Sequence, residues 1–192
     1  MTAITPLVTI RTSPHYDERP LVADISLLVI HNISLPAGQF TETPEHSFID
    51  GLFMGTLDCT AHPDFVSLQG VRVSAHCVIW RDGRIFQYVP FEKRAWHAGI
   101  SQFEGRERCN DFSIGIELEG SDDLPYTYEQ YQSLILLTKF IMSQHPAITT
   151  ERIVGHCDIA PGRKTDPGTA FDWMRYRNTL VEWDKQRDKG VF

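Results

Sequence analysis

The chain has 192 residues, is 42% hydrophobic and carries a formal net charge of −7. A chain of that length fits one domain and buries roughly 70% of the surface its unfolded form exposes, so no disulfide or metal is needed merely to hold a core. The acidic balance, with no Lys/Arg run longer than two, argues against a nucleic-acid partner, and no apolar run approaches the length that crosses a bilayer.

The opening segment, Met1-Thr2-Ala3-Ile4-Thr5-Pro6, lacks the basic and apolar regions of a secretory signal, which sets the expectation of a cytoplasmic protein. Cys59, Cys77, Cys109 and Cys157 are scattered without a CxxC pair and are expected to be free thiols. Residues 26–33 are apolar and β-branched, as a buried strand requires, with His31 and Asn32 at the far end. Residues 43–54 suit a short helix beginning near Thr43 or Pro44, and residues 55–70 a long surface loop. Residues 74–80 and 84–89 flank Arg81-Asp82-Gly83 and predict a hairpin, with a type I′ turn at the Asp-Gly pair.

Residues 113–119 alternate apolar with small or acidic side chains, which places Ser113, Gly115, Glu117 and Glu119 on one face of a strand. Residues 127–144 form the strongest helical pattern, opened by a capping box from Thr127 to Gln130. Residues 153–155 are a brief strand leading to His156. A last amphipathic helix is predicted over residues 169–185, with Phe171, Met174 and Leu180 packed inward. Strands alternating with helices predict a single α/β domain over residues 1–192, with a central mixed sheet flanked by helices.

Zinc sites in hydrolases need two or three neutral imidazoles or carboxylates with one position left open. Eight histidines offer several spacings, so spacing alone does not choose among them. The run Gly155-His156-Cys157-Asp158-Ile159-Ala160-Pro161-Gly162-Arg163-Lys164-Thr165-Asp166-Pro167-Gly168 is more specific. Its Pro161-Gly162 turn allows the loop to fold back and bring Asp166 toward His156.

That loop does not stand alone. Val29-Ile30-His31-Asn32-Ile33-Ser34-Leu35-Pro36, Arg72-Val73-Ser74-Ala75-His76-Cys77, Lys93-Arg94-Ala95-Trp96-His97-Ala98-Gly99 and the run from Gly105 to Gly120 precede it in order. Together they give the chain, over nearly its whole length, a resemblance to the AmpD amidases. These are the N-acetyl-anhydromuramyl-L-alanine amidases of the wider amidase and peptidoglycan-recognition superfamily.

The resemblance implies one zinc ion per chain held by His31, His156 and Asp166. It implies that Glu117 is the acid/base carboxylate and that Lys164 steadies the oxyanion formed as water adds to an amide. Arg72 and Arg108 correspond to positions near the peptide carboxylates of a muropeptide, with surface ion pairing as the competing reading. Asn32 is expected to contact substrate beside His31, and Trp96 and His97 to line the pocket, a core role being equally open to Trp96. His76 is expected to support the pocket rather than ligate, and His15, His46, His62 and His145 to be surface or packing residues. Asp64 stands where relatives often carry an aromatic residue, which weakens any tyrosine-assisted mechanism and shifts weight to Glu117 and Lys164.

The implied activity is hydrolysis of the bond between the lactyl group of N-acetyl-anhydromuramic acid and L-alanine, by a monomer acting in peptidoglycan recycling. Three rivals compete with it. A binding module on the same scaffold typically lacks a metal ligand. An envelope amidase acting on intact wall polymer is disfavoured by the missing wall-binding repeats. A cysteine hydrolase is disfavoured because His76-Cys77 and His156-Cys157 are sequence neighbours, which point apart on a strand.

Overall fold

The structure is a computed structural model that describes residues 6–21 and 24–188. Its centre is a six-stranded mixed sheet in the order β1 (Val8–Ile10), β5 (Ile85–Gln87), β4 (Cys77–Ile79), β9 (Ser113–Glu119), β3 (Leu27–Ile33) and β10 (Ile153–Gly155). Only the β4–β5 hairpin is antiparallel; β4, β9, β3 and β10 all run the same way. Two small ribbons flank the sheet, β2 (Tyr16–Glu18) with β6 (Lys93–Ala95) and β7 (Gln102–Phe103) with β8 (Arg106–Glu107). The predicted α/β architecture is therefore present, and the unbroken Leu27-Leu28-Val29-Ile30 run marks a parallel strand covered on both faces.

Alternation along β3 and β9 divides the interior. Leu28, Ile30, Ile114, Ile116 and Leu118 pack with Leu134 and Ile141 of α2 (Tyr128–Gln144). Leu27 and Val29 point the other way and join Phe112, Val154 and Ile159. His31, Ser113, Gly115, Glu117 and Glu119 occupy the side away from α2, as the alternation predicts. A third cluster sets Val78, Trp80 and Phe86 against Ile49, Leu52 and Phe53 of α1 (Phe48–Met54).

The expected capping box opens α2. Thr127 Oγ1 accepts from the Gln130 N–H at 3.1 Å, and Gln130 Oε1 accepts from the Thr127 N–H at 3.1 Å. Gln130 is wholly buried, and its Nε2 also donates to the Ile79 and Glu119 carbonyls, so the cap doubles as a bolt between helix and sheet.

Four local expectations need correction. The helix placed at residues 43–54 is split: Pro44–His46 form a 3-10 turn, and Ser47 then caps α1 by accepting from the Asp50 N–H at 3.0 Å. The loop at residues 55–70 contains a 3-10 helix, Pro63–Leu68, capped by His62, whose Nδ1 accepts from the Asp64 N–H. The hairpin turn is not type I′. Only Gly83 has positive φ there, at 84°, and the Trp80 carbonyl accepts from the Gly83 N–H, which makes a three-residue loop closed by glycine.

The last helix, α4, runs Trp173–Asp188, with α3 (His156–Ile159) before it. The Tyr131 hydroxyl accepts from the Asp172 N–H, and Asp172 Oδ1 accepts from the Arg175 N–H at 2.9 Å, so the helix opens just after Asp172. Tyr176 and Leu180 are buried, with Tyr176 hydrogen-bonded to Thr138 at 2.7 Å. Phe171 is buried ahead of the helix, but Met174 is 75% exposed.

Arg19, only 5% exposed, knits the loops behind the site. Its guanidinium donates to the carbonyls of Phe91, Asn110 and Ser113 at 3.1, 3.0 and 2.7 Å. Beside it the buried His76 accepts from the Gly115 N–H at Nδ1, while its Nε2 lies 2.9 Å from Arg19 Nη2 and 3.1 Å from the Lys93 carbonyl. Burial and the neighbouring guanidinium hold this imidazole well below the ordinary histidine range. An unfolded histidine takes up a proton below about pH 6.5 while buried His76 does not, so stability is full above that pH and lost as pH falls. Urea unfolding of the metal-free protein between pH 7.5 and 5 should show that loss. In His76→Asn, which keeps an acceptor for Gly115, the slope should be shallower by up to about 1.4 kcal/mol per pH unit.

Candidate metal centre and active site

Three adjacent parallel strands end at one place. His31 lies near the end of β3, Glu117 pairs with it in register on β9, and His156 follows directly on β10. Carboxyl ends of parallel strands are where open α/β sheets gather their polar groups. Asp166 arrives from the loop after α3, folded back because its carbonyl accepts from the Cys157 N–H at 3.0 Å.

The three expected ligands meet. His31 Nδ1 and His156 Nδ1 are 2.9 Å apart, and Asp166 Oδ2 lies 3.1 and 3.0 Å from them. Each imidazole is engaged from behind, His156 Nε2 with the Ala98 carbonyl at 3.2 Å and His31 Nε2 with His97 Nδ1 at 2.9 Å. With Nε2 protonated on both, two bare Nδ1 lone pairs and a carboxylate oxygen face one another with no proton to separate them. Such a set fits a divalent cation, and two imidazoles with one carboxylate suit zinc chemistry.

The electrostatics agree with that use. Burial holds His31 down to about 4, which keeps the imidazole neutral. Burial alone would raise Asp166, but its close approach to His156 and His31 outweighs it and leaves the carboxyl below the usual range. Glu117 goes the other way: burial and the Asp166 charge push it well above an ordinary glutamate, with Lys164 opposing. Its Oε2 is buried without a hydrogen-bond partner. Lys164 is exposed on the loop, within electrostatic reach of both Glu117 and His31.

Glu119 shares the face of Glu117, yet the structure separates them cleanly. Glu119 is wholly buried with both oxygens committed, Oε1 to the Thr41 N–H at 2.8 Å and Oε2 to the Arg81 N–H at 3.2 Å. It ties loops together, whereas Glu117 is left with acceptor capacity to spare.

The expected substrate contacts are less gathered. Asn32 donates to Asp122 Oδ1 at 2.8 Å beside the site. Half-buried Trp96 stacks on His15 and donates to Asp17 Oδ1 at 3.2 Å. Arg108 is exposed at a groove of about 560 Å³ shared with Ile100, Pro161 and Arg163, next to the ligand loop. Arg72 lies at a different cavity, of about 160 Å³, with His15, Leu57 and Cys59. The two arginines therefore do not line one recess. His97 has both ring nitrogens engaged inside the protein, Nδ1 with His31 and Nε2 with Ser113 Oγ at 3.1 Å, which leaves neither free for a substrate.

Several residues at the site carried no readable signal. Asn110 Oδ1 accepts from both the His97 and Ala98 N–H groups, and Arg163 donates to the Ala98 and Ile100 carbonyls. Tyr126 reaches under the loop to donate to the Pro167 carbonyl at 2.7 Å. The one available hint was Gly115, a glycine inside a strand: a Cβ there would stand 2.5 Å from the His97 ring.

All four cysteines are free, as expected. Burial pushes the Cys77 and Cys157 thiols upward, and neither is hydrogen-bonded to a histidine, which removes the cysteine-hydrolase alternative.

Comparison with known proteins agrees with this geometry. The family model described as N-acetylmuramoyl-L-alanine amidase matches residues 21–169, a span that contains all three ligand candidates and Glu117. The 1,6-anhydro-N-acetylmuramyl-L-alanine amidase AmpD of Escherichia coli (strain K12) is 61% identical over 165 residues, covering 86% of this chain and 87% of its own. A crystal structure of a selenomethionine AmpD derivative superposes with a TM-score of 0.85 at 58% identity, covering 90% of this chain and 94% of that one. The Escherichia coli amidase AmiD, solved with anhydro-N-acetylmuramic acid-L-Ala-D-gamma-Glu-L-Lys, is 32% identical with a TM-score of 0.59, covering 81% of this chain and 57% of that one. On the extent of these matches, the chain belongs to the N-acetylmuramoyl-L-alanine amidase family and stands within it among the AmpD proteins.

Proposed function

We propose that the chain, as one domain over residues 1–192, is a zinc-dependent amidase. It hydrolyses the amide between the lactyl group of N-acetyl-anhydromuramic acid and L-alanine in soluble muropeptides. The proposal includes a monomeric protein working in cytoplasmic peptidoglycan recycling. The observation that carries it is the triangle of His31 Nδ1, His156 Nδ1 and Asp166 Oδ2, about 3 Å on each side, set beside a buried carboxylate without a partner.

His31, His156 and Asp166 would hold the ion, which when bound supplies a Lewis acid for the amide carbonyl and lowers the pKa of water. Glu117 takes the proton from the attacking water and returns it to the departing nitrogen of L-alanine. Its raised pKa suits a group that must hold that proton between the two transfers. Lys164 offsets the negative charge that develops on the carbonyl oxygen. Arg108, at the groove beside the ligand loop, and Arg72, at the separate cavity, are available to the peptide carboxylates. Asn32 and Trp96 border the substrate, while His97 is better placed to support His31 than to touch it.

A pure binding module is disfavoured by the same geometry, since it has no use for a complete ligand set next to an uncompensated buried glutamate. Cargo recognition gains nothing from that desolvation cost, whereas proton transfer does.

Glu117→Gln should keep its zinc, measured by elemental analysis. It should release peptide from anhydromuramyl-peptide about 10²- to 10⁴-fold more slowly, and wild-type rates in this variant would reject the acid/base role. Asp166→Ala should lose zinc and activity together. Chelation of the wild type should do the same reversibly, with zinc restoring peptide release; unimpaired turnover by metal-free protein would refute the zinc requirement. Side-by-side assays should show rapid cleavage of soluble anhydromuramyl-peptides and little release from whole sacculi, whereas a preference for sacculi would point to a wall-polymer amidase.

A further inference from the structure

We infer that the His97-Ala98 segment fixes both histidine ligands at once, with His97 a positioning residue for His31 seated in the space that Gly115 leaves on β9. This deepens the zinc reading above and rests on it.

Consider how each imidazole is held. His156 Nε2 lies 3.2 Å from the Ala98 carbonyl, an acceptor only, so the ring proton is on Nε2 and Nδ1 is bare. His31 Nε2 lies 2.9 Å from His97 Nδ1, and His97 Nε2 lies 3.1 Å from Ser113 Oγ. One proton order satisfies the whole line and leaves His31 Nδ1 free for a metal: His31 Nε2–H to His97 Nδ1, then His97 Nε2–H to Ser113 Oγ. The reverse order would protonate His31 Nδ1, 2.9 Å from His156 Nδ1, and close the metal position. Adjacent residues of one segment thus orient the two rings, His97 by its side chain and Ala98 by its carbonyl.

The segment is itself rigidly mounted. Asn110 Oδ1 accepts from the His97 N–H at 3.1 Å and the Ala98 N–H at 2.8 Å, while Arg163 Nη2 donates to the Ala98 carbonyl at 2.6 Å. The His97 ring lies over the backbone of Gly115, where a Cβ would come within 2.5 Å of its Nδ1. A glycine in the middle of a fully buried strand is costly, and the room it leaves is filled by this imidazole. Supports behind metal-bound histidines typically govern affinity because they set tautomer and ring orientation.

The test is zinc affinity of the full chain, by competition with a chromophoric chelator, in wild type, His97→Phe, His97→Asn and Gly115→Ala. His97→Phe fills the space without an acceptor, and Gly115→Ala displaces the ring while leaving every ligand unchanged; both should bind zinc about 10- to 100-fold more weakly. His97→Asn places an amide oxygen where Nδ1 stood and should stay close to wild type. Equal affinity in wild type, His97→Phe and Gly115→Ala overturns the inference, as does an equal loss in His97→Asn and His97→Phe. A readout without any variant guards against misfolding: zinc-loaded wild type should show ¹⁵N–¹⁵N coupling across the hydrogen bond between His31 Nε2 and His97 Nδ1, and its absence also overturns the inference. Failure of the wild type itself to bind zinc would instead bring down the zinc reading, and this inference with it.

Discussion

Three basic atoms, two imidazole nitrogens and a carboxylate oxygen, are pressed to within 2.9 to 3.1 Å of one another in a buried pocket. Brought together as bare acceptors they would repel, so the fold must hold them against that repulsion. The surrounding architecture answers this need. The parallel trio β9, β3 and β10 sets the positions of Glu117, His31 and His156, the Cys157–Asp166 backbone bond folds the loop over them, and Tyr126 props that loop from below.

The same interior separates the two acidic residues of β9. Both are buried, and burial raises both, but Glu119 is compensated by two backbone N–H groups and Glu117 Oε2 by none. A buried carboxylate oxygen without a donor is a standing cost in folding free energy. Such a cost persists where the group has work that a satisfied one could not do, which is why the uncompensated glutamate, and not its neighbour, is read as the proton carrier.

Much of this was legible in the residues. The alternation of β9 placed Glu117 on the correct face, the capping box opened α2 where expected, and the ordered motifs nominated His31, His156 and Asp166, which the fold then brings together. What stayed hidden depends on distance rather than pattern. No spacing rule reveals that Asn110 receives the His97-Ala98 backbone, or that Arg19 donates both to the Phe91 carbonyl and to carbonyls of the 110–113 segment. Met174 stands six residues before Leu180, about 240° round a helix, so the face that buries Tyr176 and Leu180 leaves it exposed. Arg72 and Arg108 look alike as exposed cations in sequence, and only tertiary structure puts them at separate recesses.

The donor set has one more implication. The ligand candidates are nitrogen and oxygen only, and none of the four thiols is a member of the cluster. Thiolate ligands are lost to oxidants through sulfenic acids and disulfides, whereas imidazole and carboxylate donors have no counterpart on that ladder. A zinc centre of the kind proposed would have no thiolate donor to lose, so a change of redox conditions that disables a cysteine-ligated site would spare these ligands.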